Sequence, residues 1–168
     1  MAEKLRLTYL LEGSGLWGGV KIVLEQAHWL AAAGHAVTIL GKEGPPSWFP
    51  VTVPFRTVPD FQPARFPESD LIIATAWPTV RFAHDAGQGI PAHLCQGYEG
   101  DFPENRGWQE QIEFAYRLHT VKLVVSPHLG RLLRDRKLRP RPAKGWTRST
   151  AATRPKYCRG CRQGALTA

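Results

Sequence analysis

The regular alternation of apolar, β-branched runs with amphipathic runs is the feature that most constrains the fold of this chain. Residues 5–12 (LRLTYLLE) predict a buried strand, residues 20–34 predict a helix, and residues 35–41 (HAVTILG) predict a second strand. Gly34 is placed to end the helix. Strand, helix and strand within about 37 residues have the size of a βαβ crossover unit.

The same alternation continues as far as residue 136. Three further apolar runs predict strands: DLIIATAW, IPAHLCQGY and VKLVVSP. The run VTVPFRTVP predicts another strand, placed at the sheet edge because Pro54 cannot donate a ladder hydrogen bond. Helices are predicted at about 79–86, at about 107–119 and from near His128. The sequence therefore predicts an α/β fold with a doubly wound, mostly parallel sheet, forming a Rossmann-like domain over residues 1–136.

The positive charge is concentrated at the C-terminal end of the chain. The formal net charge of the 168 residues is +8. Residues 1–130 contain 10 Lys and Arg against 13 Asp and Glu, whereas residues 131–168 contain 12 basic residues and a single acidic one. A basic face on the folded body, which nucleic-acid binding by that body would require, is therefore not expected.

Residues 137–168 have a different composition from the rest of the chain. They contain few aliphatic residues, show no hydrophobic period and carry a high density of like charge, which predicts a disordered basic tail. An alternative interpretation is that the reading frame shifts near Arg136, because Arg, Pro, Ala, Gly and Thr dominate GC-rich codons read out of frame. Cys158 and Cys161 form a lone C-x-x-C without a second ligand pair, so no metal site is predicted.

A glycine-rich loop joins the first strand to the first helix. Gly13, Gly15 and Gly18 match the pattern G-x-G-x-x-G of dinucleotide-binding loops. The context fits poorly, because the helix is expected to start at Gly18 or Gly19 and the nearest acidic residue after the second strand, Glu43, lies too far along. Two other interpretations stay open: a tight turn, or backbone N–H groups at a helix start that bind a phosphate, a carboxylate or a sugar hydroxyl.

Polar or unusual residues follow three other predicted strands. Trp77 comes after DLIIATA, Tyr98 and Glu99 follow PAHLC, and Ser126 follows VKLVV. The carboxyl ends of parallel strands meet at one edge of the sheet, where ligands bind in open α/β folds. Each residue also has a structural interpretation: Trp77 in the core, Glu99 in a solvated loop, and Ser126 as the N-cap of the following helix. Their shared edge favours a binding site.

The ordered set of segments resembles glycosyltransferase family 4, whose members are retaining, nucleotide-sugar-dependent enzymes of the GT-B fold. The resemblance rests on YLLEGSGLWGGVKIVLEQAHWLAAAGHAVTIL, followed in order by DLIIATAWPT, HLCQGYEGDF and VKLVVSPHLGRLL, and covers about residues 5–135. It implies two Rossmann-like domains that face each other across a cleft. The N-terminal domain accommodates a saccharide or lipid-linked acceptor, and the C-terminal domain binds the nucleotide-sugar.

Carried over by position, the resemblance places Gly18 and Gly19 at the cleft near the transferred sugar or the donor phosphates. It places Glu99 and Tyr98 towards the acceptor. It implies no cofactor and no metal, with the nucleotide-sugar as a substrate, because helix N-termini and basic side chains of the second domain neutralise the diphosphate.

The chain departs from the family pattern in one major respect. No second domain and no E-x7-E carboxylate pair are found in the 168 residues, so the chain is expected to be inactive without a donor domain as partner. Two rival classes remain: an NAD(P)-dependent oxidoreductase or epimerase, and a non-enzymatic module that binds nucleic acid through its basic tail. No signal peptide or membrane span is predicted, which favours the cytoplasm, with peripheral contact at the inner membrane face as an alternative.

Overall fold

The computed structural model describes residues 3–138, which form a six-stranded, all-parallel sheet flanked by helices. The predicted α/β, Rossmann-like fold is therefore confirmed. The strands are β1 (Arg6–Leu11), β2 (Ala36–Gly41), β3 (Phe55–Thr57), β4 (Leu71–Ala74), β5 (Ile90–Cys95) and β6 (Val121–Val124). The helices are α1 (Gly18–Ala32), α2 (Trp77–His84), α3 (Gln109–Arg117) and α4 (Pro127–Asp135). Three-residue 3-10 turns lie at Pro63–Arg65, Glu99–Asp101 and Pro103–Asn105.

The strands are arranged in the order β3-β2-β1-β4-β5-β6. Strand β1 is central, with Tyr9 opposite Ile39 of β2 on one side and Ile73 of β4 on the other. The chain thus builds outward from β1 to one edge and then crosses back to build towards the other. In such sheets the crevice between the two strands at the point of reversal, at their carboxyl ends, is where ligands bind. Strand β3 has three residues and lies at the edge, as predicted from Pro54.

Helices cover both faces of the sheet because side chains along each strand alternate between them. Tyr9 of β1 belongs to the core cluster beneath α1, together with Val23 and Leu24 of that helix. The next residue, Leu10, belongs to the opposite cluster with Val80 of α2 and Ala115 of α3. Burial on both faces explains why the strands read as nearly continuous apolar runs.

Two of the four described helices, α1 and α4, end with a residue in the left-handed backbone conformation. At the end of α1, Gly34 has φ +96° and donates to the Ala31 carbonyl, while His35 donates to Leu30. At the end of α4, Lys137 has φ 55° and Leu138 donates to the Leu133 carbonyl. Gly34 was predicted to stop the first helix, and this is confirmed.

The packed body extends slightly beyond the predicted boundary at Arg136. The Leu138 side chain is buried in a cluster formed largely by α3 and α4. Lys137 and Leu138 therefore belong to the packed body. The remainder of the predicted basic tail, residues 139–168, lies outside the described residues, and so does its C-x-x-C pair. Within residues 3–138, no helix is long and apolar enough to cross a bilayer.

Candidate functional site

A cleft of about 710 Å³ opens at the carboxyl edge of the sheet, beyond the ends of β1, β4 and β5. It lies at the point where the strand order reverses, which is the expected ligand position in a sheet of this type. Its walls come from the β1–α1 loop, the start of α1, the β4–α2 turn and the segment after β5. The lining residues include Glu12, Gly13, Trp17, Gly19, Trp77, Gln96, Glu99, Phe102, Glu104 and Asn105.

The Trp17 indole lies against two of the motif glycines. A Cβ atom at Gly13 would come within 3.1 Å of the indole, and one at Gly15 would also come within 3.1 Å of it. The two glycines therefore make room for a tryptophan side chain that is itself 63% exposed. A pyrophosphate would need to approach the same glycine backbone, and the indole occupies that position.

Side chains from beyond β2 hold the glycine loop in place. The Ser14 N–H and hydroxyl donate to Glu43 Oε2 at 2.7 and 3.1 Å, and the Trp48 indole N–H donates to the Ser14 carbonyl at 3.0 Å. The Ser14 backbone hydrogen bond is the main reason that the pKa of Glu43 lies below its ordinary value. Glu43 therefore braces the loop, which is a different role from holding a ribose hydroxyl.

Helix α1 begins at Gly18, as predicted, with Trp17 as its N-cap residue. No side chain caps this helix start, and Gly19 lines the cleft. The Gln96 side-chain amide donates to the Gly19 carbonyl at 3.0 Å, which ties the end of β5 to the start of α1. Gly18 is adjacent to the cleft wall, and a Cβ atom added there would meet no other atom within 4 Å. The uncapped N–H groups of the first turn are thus available to a ligand.

Glu99 lines the cleft and connects the segment after β5 to the start of α2. Its Oε1 and Oε2 atoms accept from the Trp77 N–H at 3.1 and 2.9 Å, so the carboxylate caps the start of α2. The Tyr116 hydroxyl lies 3.2 Å from Oε2 and also donates to the Gly97 carbonyl at 2.8 Å. Burial raises the pKa of Glu99 to about 7, although the hydrogen bonds from Trp77 and Tyr116 act in the opposite direction.

Trp77 is the first residue of α2, where a Pro at the next position suits the helix start. The Thr79 hydroxyl oxygen accepts from the Thr75 N–H at 3.1 Å and from the Ala76 N–H at 3.3 Å. The Trp77 ring packs at 5.8 Å from that of Trp108, with the planes inclined by 35°. Trp77 therefore lines the cleft and also packs, partly buried, against two of the core clusters.

A buried polar cluster lies behind Glu99. His93 of β5 is 1% exposed, packs edge-on against Tyr116 at 4.7 Å and has Nε2 at 3.9 Å from Glu99 Oε2. The Lys122 Nζ lies 3.4 Å from His93 Nδ1. Burial, with a contribution from Lys122, holds the pKa of His93 well below its usual range, and burial lowers the pKa of Lys122 to about 8. The imidazole is therefore neutral at physiological pH.

His93, Tyr116 and Lys122 were not predicted from the sequence to form this cluster. One signal was available: a single histidine in the otherwise apolar run IPAHLC has to be buried and partnered if that run is a central strand. Its partners on α3 and β6 are 23 and 29 positions away in the sequence, and no spacing rule connects them.

The predicted site residues divide into two groups. Gly19, Trp77 and Glu99 line the cleft, and Gly18 lies beside it. Tyr98 is buried outside the cleft, where its ring packs edge-on at 5.2 Å from Tyr116 and beneath the Arg136 guanidinium at 4.7 Å. The Ser126 hydroxyl accepts from the Leu129 N–H at 3.2 Å and caps α4. The structure therefore brings four of the six predicted residues together and places Tyr98 and Ser126 elsewhere.

The charged side chains that line the cleft are all acidic: Glu12, Glu99 and Glu104. Glu12 is paired with Lys42 at 2.6 Å. Within residues 3–138 no Lys or Arg lines this cleft, and no group of three or more His, Cys, Asp or Glu is placed to hold a metal ion. Such a lining suits a hydroxyl-bearing ligand better than a diphosphate, which needs positive charge around it.

Comparison of the sequence with protein-family models and with curated proteins finds no match.

Proposed function

We propose that residues 3–138 form the acceptor-side, N-terminal domain of a retaining glycosyltransferase that transfers a sugar from a nucleotide-sugar to a saccharide or lipid-linked acceptor. The main support is the cleft itself. Gly19 at the start of α1, Trp77 at the start of α2 and the buried Glu99 converge there at the carboxyl edge of the parallel sheet. A lipid-linked acceptor would bring the protein to a membrane surface.

The cleft chemistry is that of a saccharide site. Sugars present hydroxyl groups that donate to carboxylates and amides, together with apolar C–H faces that pack on aromatic rings. Glu99, Gln96 and Asn105 supply polar groups, while Trp17 and Trp77 supply aromatic surface. Glu99 is also held rigidly by the Trp77 N–H, so it is oriented before a ligand binds.

A donor-binding domain is an additional requirement of this proposal. A nucleotide diphosphate leaving group needs cationic side chains or helix N-termini, and the lining of the cleft contains three carboxylates and no Lys or Arg among the described residues. The uncapped start of α1 is the feature closest to that requirement, since its free N–H groups could face a phosphate across the cleft. The described domain is therefore expected to be inactive without its donor-binding partner.

A dinucleotide-dependent oxidoreductase or epimerase is the second candidate, and the strand order favours it. The order β3-β2-β1-β4-β5-β6 is that of dinucleotide-binding domains. Two contacts count against this candidate: Trp17 covers Gly13 and Gly15, and Glu43 is engaged by Ser14. The position of the pyrophosphate and that of the ribose-binding carboxylate are thus both taken.

Fluorescence titration of the full chain distinguishes the two candidates. NADH, UDP-glucose and methyl glucoside would each be titrated while tryptophan emission is recorded. We expect methyl glucoside to bind weakly and to change the tryptophan emission of the wild type but not that of Trp17→Ala. Trp29→Ala serves as the matched control, because Trp29 is 71% exposed on α1 and does not line the cleft. Tight binding of NADH would favour the oxidoreductase. Tight binding of UDP-glucose, or sugar transfer by this chain alone, would contradict the proposal that a separate domain binds the donor.

The coding DNA provides an independent test. Reading the sequence downstream of the Arg136 codon in all three forward frames should reveal a continuation that carries an E-x7-E carboxylate pair. Finding no plausible continuation in any frame would remove the frameshift hypothesis for the tail.

A further inference from the structure

Three carboxylate side chains line the cleft, and their charge bears on which ligands the cleft can bind. Glu104 lies exposed in the 3-10 turn Pro103–Asn105, Glu99 lies largely buried at the start of the preceding 3-10 turn, and Glu12 follows the end of β1. Among residues 3–138, Glu12 pairs with the Lys42 ammonium at 2.6 Å, Glu99 lies 3.9 Å from the neutral His93 ring, and Glu104 has no ion-pair partner. The second oxygen of Glu12 is buried and accepts no hydrogen bond from the described part of the chain. The charged side chains that line the cleft therefore carry net negative charge, which the Lys42 ammonium and the N-terminal ends of α1 and α2 offset only in part.

Aromatic rings on the walls of the cleft also favour a positively charged ligand. Trp17 is 63% exposed at the start of α1, Phe102 is 41% exposed between the two 3-10 turns, and Trp77 completes the wall at the start of α2. The faces of aromatic rings carry partial negative charge and attract ammonium groups, more strongly where water is partly excluded. Carboxylates and aromatic faces together thus favour a cation and oppose an anion.

We propose that this cleft selects acceptors whose sugar ring is neutral or carries an amine, and that it rejects rings bearing a carboxylate, sulfate or phosphate. This inference rests on the proposed function, because it assumes that the cleft receives a saccharide. It goes further in naming the charge class of that saccharide and in assigning the selection to Glu104 together with Glu99, with Trp17 packing on every ring and adding to the attraction for an ammonium group.

A matched series of sugars separates charge from ring recognition. Methyl 6-amino-6-deoxyglucoside, methyl glucoside and methyl glucuronide differ at one carbon, which carries an ammonium, a hydroxyl or a carboxylate respectively. Their galacto and manno counterparts would be tested in the same way. Binding to the full chain would be followed by NMR chemical-shift perturbation at pH 7.5 and low ionic strength, about 20 mM, so that screening does not hide the effect.

We expect the amine to bind roughly tenfold or more tightly than the uronate, with the neutral glycoside between them. The ratio should fall several-fold in Glu104→Gln and stay unchanged in Glu110→Gln, the matched control, because Glu110 is exposed on α3 and does not line this cleft. Trp17→Ala should weaken all three ligands, and the amine by the largest factor, because the indole packs on every ring and its face also attracts the ammonium.

Two results would overturn the inference while leaving the saccharide site in place: uronate binding as tight as amine binding, or a ratio that Glu104→Gln does not change. Failure of all nine sugars to bind would overturn the inference together with the proposed function. The two failures are therefore distinguishable.

Discussion

The ionisation of Glu99 should make the stability of the folded domain depend on pH in a direction unusual for a carboxylate. Burial raises the pKa of this group from 4.5 to about 7. Between these two values the folded chain keeps a proton that the unfolded chain has released. Stability must therefore decrease as the pH rises from 4.5 to about 7, and the loss is complete above that range.

The magnitude follows from the same pKa difference. Since one pKa unit corresponds to about 1.4 kcal/mol, ionising Glu99 in the folded state costs up to about 3 kcal/mol. The carboxyl side chain is 18% exposed, so solvent screens this cost only in part. Glu99→Gln removes the ionisation and keeps an oxygen that can accept from the Trp77 N–H. Below pH 4.5 the two chains should be similar, whereas at pH 8 the variant should be more stable by about 3 kcal/mol.

Urea unfolding of both chains at half-unit pH steps from 4.5 to 8, followed by tryptophan fluorescence, measures this difference. Other groups titrate as well: His93 has a depressed pKa and contributes stability that is lost as the pH falls below 6.5. Because the His93 ring lies 3.9 Å from the Glu99 carboxylate, this contribution is not strictly equal in the two chains, and the comparison well above pH 6.5, where His93 is neutral in both the folded and unfolded states, isolates Glu99. Glu110→Gln, on the exposed surface of α3, serves as the control for a generic loss of charge. Parallel pH profiles for wild type and Glu99→Gln would refute the reasoning.

Three further predictions concern positions around the cleft. Gly100→Ala places a Cβ atom 2.5 Å from the buried Tyr98 ring and should destabilise the fold by about 1–3 kcal/mol in urea unfolding, whereas Gly44→Ala, with no atom within 4 Å, should have little effect. Ser126→Ala removes the cap of α4 and should lower the free energy of unfolding by about 1 kcal/mol without changing sugar affinity. A loss of sugar affinity would instead place Ser126 in the binding site. The Cys95 thiol is buried, and burial raises its pKa to about 12. It should therefore resist alkylation by iodoacetamide at pH 8 until the chain unfolds. Rapid alkylation of Cys95 in the native state, located by peptide mapping, would contradict this.

The fold was largely readable from local patterns. The alternation of strands and helices, the stop at Gly34 and the edge position of the strand after Pro54 each depend on residues within one element or one turn. The strands of a parallel sheet that is buried on both faces are also easy to predict from sequence, because every central strand must be apolar throughout. Helix and strand boundaries differed from the predicted ones by only a few residues.

The candidate site was readable only in part. The order of the strands placed Trp77 and Glu99 at one edge of the sheet, but their direct hydrogen bond joins residues 22 positions apart. The same pattern gave no reason to separate Tyr98 from its neighbour Glu99, although one side chain enters the core and the other faces the cleft. In the turn that follows β5, backbone direction rather than hydrophobic period decides which way each side chain points.

The glycine loop shows most clearly what each level determined. From its residues alone, the loop with Gly13, Gly15 and Gly18 fits a tight turn or an open helix start, and it fits a dinucleotide loop poorly. Tertiary packing decided between them, because the Trp17 indole covers the first two glycines and leaves the start of α1 open. The sequence determined that backbone is exposed in this loop, since glycine has no side chain to cover it. Only the folded chain determined which part of that backbone a neighbouring ring covers and which part a ligand can reach.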